Sequence, residues 1–278
     1  MGVATAARSE PGRHWQLRHT LGCVVFAAAF IAVGLLIPYR AVNDARDAGN
    51  GRLLAWALMA ALLCAFIAVV GDGINGIARA ALVDSRNRIS LAKLQMTAWT
   101  VLLLSAYAAA ALGNIGIGDA HALEVAIPRE LWLAMGISTT SLVGAPLILS
   151  QKKRDRHTAR DEEYARQLVL LREQGVDPKT VERIGSLVGY SDPRQSRWSD
   201  LIQGEETGNA GLLDLAKVQM LFFTLILVLV YAIGIGDTLH STQGRIGALP
   251  NLDASMIALL AISHAGYLGK KALPKPPA

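Results

Sequence analysis

Cysteine is nearly missing: Cys23 and Cys64 are the two among 278 residues. Both fall inside apolar runs and neither has companions at metal-ligand spacing, which argues against a disulfide framework and a zinc site. They read as small packing residues. Charge is also scarce, 18% of residues against 52% hydrophobic, and mean hydropathy is positive at +0.35. A soluble chain of this length is nearer about a quarter charged. No His-Glu-x-x-His, Gly-x-Ser-x-Gly or phosphate loop occurs anywhere in the sequence. With no catalytic constellation, no catalytic, cofactor-binding or metal residue is assigned, and the chain is not expected to be an enzyme.

What the sequence does have is apolar runs long enough to cross a bilayer as helices. Residues 20–38 and 53–71 carry no charge, and 94–113 is uncharged although it holds Gln95, Thr97, Thr100 and Ser105. Residues 131–150, 218–236 and the weaker 252–268, with Asp253 at its edge and His264 inside, complete six candidates. The first run follows Arg8, Arg13 and Arg18, as in a signal peptide. Its length and the poor cleavage site at Ile37-Pro38-Tyr39-Arg40 favour an uncleaved anchor.

The net charge of +5 is explained by side rather than by nucleic acid, for which no basic-aromatic motif is present. With the N-terminus inside, 22 of the 27 basic residues fall in inner segments, and Arg40, Arg46, Arg52, Arg129 and Arg245 in outer ones. The positive-inside rule then gives N-in and C-in.

The hexapeptide LAKLQM at Leu91 returns as LAKVQM at Leu215. At a shift of 124, Lys93, Gln95, Thr100 and Tyr107 meet Lys217, Gln219, Thr224 and Tyr231; at 125, Ile137-Ser138 meets Ile262-Ser263. A two-helix hairpin is therefore written twice, and because both copies start on the same side the repeats are parallel. Lys93, Thr100 and Tyr107 share a helix face, as do Lys217, Thr224 and Tyr231. Those faces are read either as packing surfaces or as the lining of a path, with the lysines snorkelling to inner headgroups. Gly136, Thr140 and Gly144, and Ala261, Ala265 and Gly269, form small-residue stripes expected to be where helices pack. Asp119 and Asp237 each end the words Ile-Gly-Ile-Gly-Asp, with His121 and His240 just after, and are candidates for outer-mouth charge. His264 is the intramembrane ionisable group, either functional or close to the inner headgroups. The polar run 138–141 either lines a wet path or bonds its own helix.

The expected fold is all-α: a polytopic membrane protein of about six transmembrane helices with two parallel hairpin repeats and a small cytoplasmic helical insert. Its segments are an inner tail 1–19, hairpins 20–71 and 72–150, an insert 151–213, a third hairpin 214–271 and an inner tail 272–278. Within the insert, Asp161–Glu173 and residues 180–188 read as helical, and 196–202 as a short interfacial helix carrying Trp198. The glycine-rich stretch 71–76 reads as a flexible inner turn.

Asp84, Asn87, Arg88, Ser90, Leu91, Gln95, Trp99 and Thr100 form an Asp-x-x-Asn-Arg-x-Ser-Leu run leading into Gln and Trp-Thr. This stretch, with MGIS at Met135, resembles a group of uncharacterised bacterial multi-pass membrane proteins. The resemblance covers the first repeat well and the second loosely; it implies a bacterial inner membrane and no activity. Two functions stay open: a pore- or transport-like component acting as a homo-oligomer in membrane lipid, or an adaptor or sensor recruiting a cytosolic protein through the insert.

Reporter fusions after Arg46, Ala120 and Gly244 are expected to report outside, and those after Ser85, Arg160 and Pro276 inside. An inside signal at Gly244 would remove the sixth span and the second repeat with it.

Overall fold

The computed structural model describes residues 15–43, 48–154 and 161–273. Most of both tails, outer Arg46 and the stretch 155–160 lie outside the described residues. Seven α-helices account for most of the described chain: α1 (Leu17–Asn43), α2 (Ala48–Asn75), α3 (Leu91–Gly116), α4 (Arg129–Arg154), α5 (Asp161–Glu173), α6 (Leu215–Ser241) and α7 (Ala254–Ala272). Five of them, α1, α2, α3, α4 and α6, are long and apolar enough to cross a membrane. The seventh, expected as the sixth span, is not among them: its 19 residues include His264, Lys270 and Lys271.

Half of the apolar stretch of α3 is buried, against 11% for α1 and for α2, so α3 is the enclosed element and α1–α2 a peripheral hairpin. α3 packs against α1, α2, α4 and α6, while α7 packs against α4 and α6. The core between these helices is built from Trp99, Leu102, Ala106 and Ala110 of α3 against Leu227, Tyr231, Ile235 and Leu239 of α6, closed by Leu131 and Leu260. The alanine face of α3 has little bulk, which lets its neighbours come close.

Side-chain bonds define two ends. At one, Arg52 at the start of α2 donates to the carbonyls of Thr242 and Gly244, both at 2.6 Å. Asn114 of α3 holds the backbone of Ile246 in both directions, at 3.0 and 2.9 Å. The loops after α3 and α6 pair in parallel, Ala126 with Ala248. Tyr107 and Tyr231 each donate to a carbonyl of the loop that follows their own helix, Leu123 at 3.3 Å and Pro250 at 2.9 Å. The opposite end carries the starts of α1, α3 and α6, the ends of α2, α4 and α7, and the insert.

Several expectations are corrected here. The insert is not wholly helical. Residues 180–188 form most of an antiparallel hairpin, β1 (Val181–Ile184) and β2 (Leu187–Tyr190), paired Val181 to Tyr190 and Ile184 to Leu187. The β-branched and aromatic residues favour strand, and Gly185 at φ +66 makes the turn. Pro178 starts only a single 3₁₀ turn, and the 196–202 stretch likewise contributes only the 3₁₀ turn Trp198–Leu201, with Trp198 61% exposed. The glycine-rich stretch 71–75 is the last turn of α2, ended by Gly76 at φ +71. Its glycines allow close contact: a side-chain carbon at Gly73 would meet the Trp15 ring at 2.5 Å, and Asp72 pairs with His19 at 3.1 Å.

The small-residue stripes do not carry the packing within the chain. Gly136, Thr140, Ala265 and Gly269 are exposed, and nothing lies near where a side chain at Gly136 or Gly269 would begin; Gly144 only touches Leu268 at 3.6 Å. Ala261 is half-buried. Tight helix approaches occur elsewhere among the described residues, as at Gly34 of α1, pressed against Leu112 and Met59.

Gly34→Leu is therefore expected to lower the unfolding midpoint in detergent, with an overpacking cost of about 1–3 kcal/mol. Gly269→Leu is expected to leave the monomer's midpoint unchanged. Equal damage from both would mean that the stripe on α7 is covered in the chain.

Candidate functional site

The densest chemistry in the molecule lies where the insert meets the helix ends. Three segments that close neighbouring helices bring charge there: the loop before α3, the start of α6 and the end of α7. The loop is shaped by its own residues. Asp84 accepts the backbone N–H groups of Arg86 at 2.8 Å and Arg88 at 3.2 Å. Asn87 sits at φ +60, where asparagine is better tolerated than most residues. The bridge Val83–Ile89 closes the loop, and Ser90 is the N-cap of α3. Two arginines are thereby thrust into the insert.

Arg88, 2% exposed, donates to Asp200 at 3.1 Å and to the Gly204 carbonyl at 2.7 Å. Asp200 is wholly buried and fully engaged. Its carboxylate also accepts from Tyr190 Oη at 3.0 Å and from the N–H groups of Ile89 and Arg197 at 3.2 and 2.8 Å. Burial, with Asp200 alongside, pushes the Tyr190 hydroxyl up to about 12, so it stays a donor at neutral pH. The chain of the hairpin is sewn to the same loop, Tyr190 N–H to the Arg86 carbonyl at 2.9 Å and Asn87 Nδ2 to the Tyr190 carbonyl at 2.7 Å. Gly189 is required there, since a side chain would meet the Arg86 carbonyl at 2.7 Å.

The second cluster centres on Glu205. Its carboxylate meets Lys217 Nζ of α6 and Lys271 Nζ of α7, each at 2.8 Å, and Arg86 at 3.3 Å. Burial alone would push the Glu205 carboxyl up, but Lys217, Lys271 and Arg86 together hold it well below the usual carboxylate range. Arg86 is shared with Asp84 at 2.7 Å, which overcomes burial and lowers the Asp84 carboxyl too. Around this core Lys152 pairs with Glu206 at 2.7 Å and Lys270 with Asp214, the N-cap of α6, at 2.6 Å. Glu205, Glu206, Asp214, Lys217, Lys270 and Lys271, with Asn209 and Tyr267, line a cleft at the helix ends.

Lys217, Lys93 and their partners stand differently from expectation. Lys217 is 3% exposed and bonds both Glu205 and the Asp200 carbonyl, so it does not reach for headgroups. Lys93, half-buried, donates to the Val83 carbonyl at 2.6 Å. Gln95 is fully buried and donates to Thr224 Oγ1 across the α3–α6 contact, while its counterpart Gln219 is exposed. Tyr231 packs beside Trp99 with the rings tilted, centres 6.1 Å apart. Thr100 is half-buried. The two faces therefore do not act alike; Gln95, Thr224 and Tyr231 are used in packing α3 on α6.

The two outer aspartates also part company. Gly118 at φ +74 takes the chain out of helix before Asp119, which lies 3.6 Å from Arg245, whereas Asp237 remains on α6 and exposed. His121 pairs with Glu124 at 3.0 Å. Among the described residues no three His, Cys, Asp or Glu side chains converge as a metal site would require. His264 is buried and bonded to Ser141 at 2.6 Å.

Compared with protein-family models, curated proteins and solved structures, the chain matches none. The site thus rests on its own chemistry. Sequence reading placed Asp84, Asn87 and Arg88 in a motif but missed Arg86, Asp200, Glu205 and Lys271. The signal for Glu205 was the acidic pair Glu205-Glu206 set between Gly204 and Gly208 in a basic region.

Because Glu205 titrates lower folded than unfolded, its contribution to stability is complete above its ordinary value of 4.5 and is lost as pH falls towards the depressed one. Thermal unfolding from pH 7 downward is expected to show an acid limb that Glu205→Gln reduces. Arg88→Ala strands Asp200 in the interior and is expected to cost about 3–5 kcal/mol at neutral pH. An unshifted midpoint in Arg88→Ala would mean that the insert is not bound through this contact.

Proposed function

We propose that this chain is a bacterial inner-membrane protein, N-in and C-in, whose insert is a fixed docking platform for a cytosolic protein. The apolar helices support the membrane part, and the resemblance carried by the segment 84–100 supports the bacterial inner membrane. The distribution of Lys and Arg supports the orientation, since the basic residues gather at the end that bears the insert. In this reading α7 is the sixth, weakest crossing, and α3–α4 and α6–α7 are the two parallel hairpins.

The observation that carries the docking reading is the buried ion network. Arg86, Arg88, Asp200, Glu205, Lys217 and Lys271 fix the insert to three helix ends rather than leaving it on a tether. A module so held presents one constant outer surface. On that surface α5 exposes Glu162, Arg166, Val169, Arg172 and Glu173, a mixed-charge face around an apolar residue suited to a protein partner. The exposed stripes on α4 and α7 favour association of copies in lipid, and a path formed between copies is the second reading.

The test combines crosslinking in cells with flux measured on purified protein in liposomes. Crosslinking to cytosolic proteins in cells is expected with the wild type. It should be lost on Arg166→Glu with Arg172→Glu, which leave the ion network intact, and liposomes should show no ion flux. Flux in the wild type that changes with Lys93→Ala, with crosslinking indifferent to the α5 variants, would replace the docking reading by the pore.

A further inference from the structure

Hydroxyl groups inside this helical body generally satisfy themselves on their own helix. Thr139 and Thr140 donate to the carbonyls of Met135 and Gly136, both at 2.8 Å. Thr224 and Thr238 donate to Met220 and Gly234, and Ser105 to Leu102. That is the usual habit of Ser and Thr in transmembrane helices. Among the described residues Ser141 instead bonds across to another helix, and two further serines of these helices have no partner at all. Ser138 of α4 is fully buried and Ser263 of α7 is 6% exposed, and neither Oγ has a hydrogen-bond partner.

The exception is not random. Ser138 and Ser263 are the same residue of the duplicated hairpin, each following isoleucine, 125 positions apart. Ser138 lies on α4 and Ser263 on α7, two helices that pack on each other. The buried face of α4 runs through Leu131, Ala134, Ser138, Ser141 and Ala145, and that of α7 through Leu260, Ser263, His264 and Tyr267. Ser141 Oγ bonds His264 Nδ1 at 2.6 Å across this contact. His264 Nε2 is itself buried and unpartnered. Ser138 stands within a helical turn of Ser141, and Ser263 is next to His264. Three buried, unpartnered polar atoms thus lie on the two helices that this one hydrogen bond joins.

A buried polar atom left unpaired is costly, and doubly so in a body surrounded by lipid. Polar seams of this kind are satisfied by bound water when enough donors and acceptors converge. We propose that the α4–α7 seam is a water-binding site, formed by Ser138 Oγ, Ser263 Oγ and His264 Nε2. The Ser141 bond fixes the imidazole so that Nε2 faces the water in either tautomer. Each hydroxyl then gives and accepts a bond, and the imidazole gains an exchange partner that no side chain supplies.

The site is tested in nanodiscs by water-edited solid-state NMR on protein labelled with ¹⁵N-histidine, the His264 resonance being identified by its loss in His264→Gln. Rapid magnetisation transfer from water to His264 Nε2 is expected, weakened by Ser138→Ala and by Ser263→Ala. Each alanine variant is also expected to lower the unfolding midpoint, because it removes a ligand of bound water. A dry seam predicts the reverse sign: no rapid transfer in the wild type, and a midpoint raised or unchanged once an unpaired hydroxyl is gone. Either of those results overturns the proposal, and the wild-type transfer decides it even where a variant does not fold.

Discussion

Charge removed from water must be met by opposite charge at contact distance, and at the insert end of this protein that demand falls on one carboxylate. Glu205 faces Lys217, Lys271 and Arg86 at once. None of the four could be buried alone. The arrangement does little for net stability, since an apolar filling of the same volume would do as well; what it gives is geometry. The start of α6, the end of α7 and the loop before α3 can meet only where that carboxylate stands.

Asp200 plays the same part for the second half of the insert. It collects Arg88, Tyr190 and two backbone N–H groups, so the β-hairpin, the 3₁₀ turn at Trp198 and the α3 loop share a single acceptor. The insert has a small core of its own, Leu171, Val176, Val181, Val188 and Tyr190. A core of that size is marginal for an independent domain. It keeps its shape because its polar interior continues into the helix ends. Any shift of α6 or α7 along its axis would have to move Lys217 or Lys271 away from Glu205, so helix position and insert position are one variable.

How much of this could be read from the sequence follows from how local each signal is. The five helices long and apolar enough to cross a membrane are legible, since an apolar run of about twenty residues has few other uses. The hairpin in the insert was not, because four-residue strands give too short a pattern to separate from helix until a partner strand is seen. The lysine at 217 was visible as a repeat of that at 93, and its depth was misjudged for that reason: the copies differ in what lies above them, and only the second has Glu205. The ion network is illegible in the sequence because its members come from segments as far apart as Asp84 and Lys271, Arg86 to Asp84 being the local exception. The small-residue stripes are expected where helices pack, and within the chain most of their positions are exposed; which partner a stripe faces is a distinction that periodicity does not contain.

Arg52 shows what such long-range closure asks of synthesis. Arg52 is 4% exposed, and its guanidinium is bonded to carbonyls 190 and 192 residues further along the chain. When α2 first enters the membrane those carbonyls have not been made, and the arginine must wait at the headgroup level with water for company. It is drawn in only after α6 and the loop behind it arrive. The first hairpin is thus finished by the last, and a chain stopped short of residue 242 keeps an unmatched cation at its edge. An incomplete copy thus differs from a whole one by a single unmatched charge at that edge.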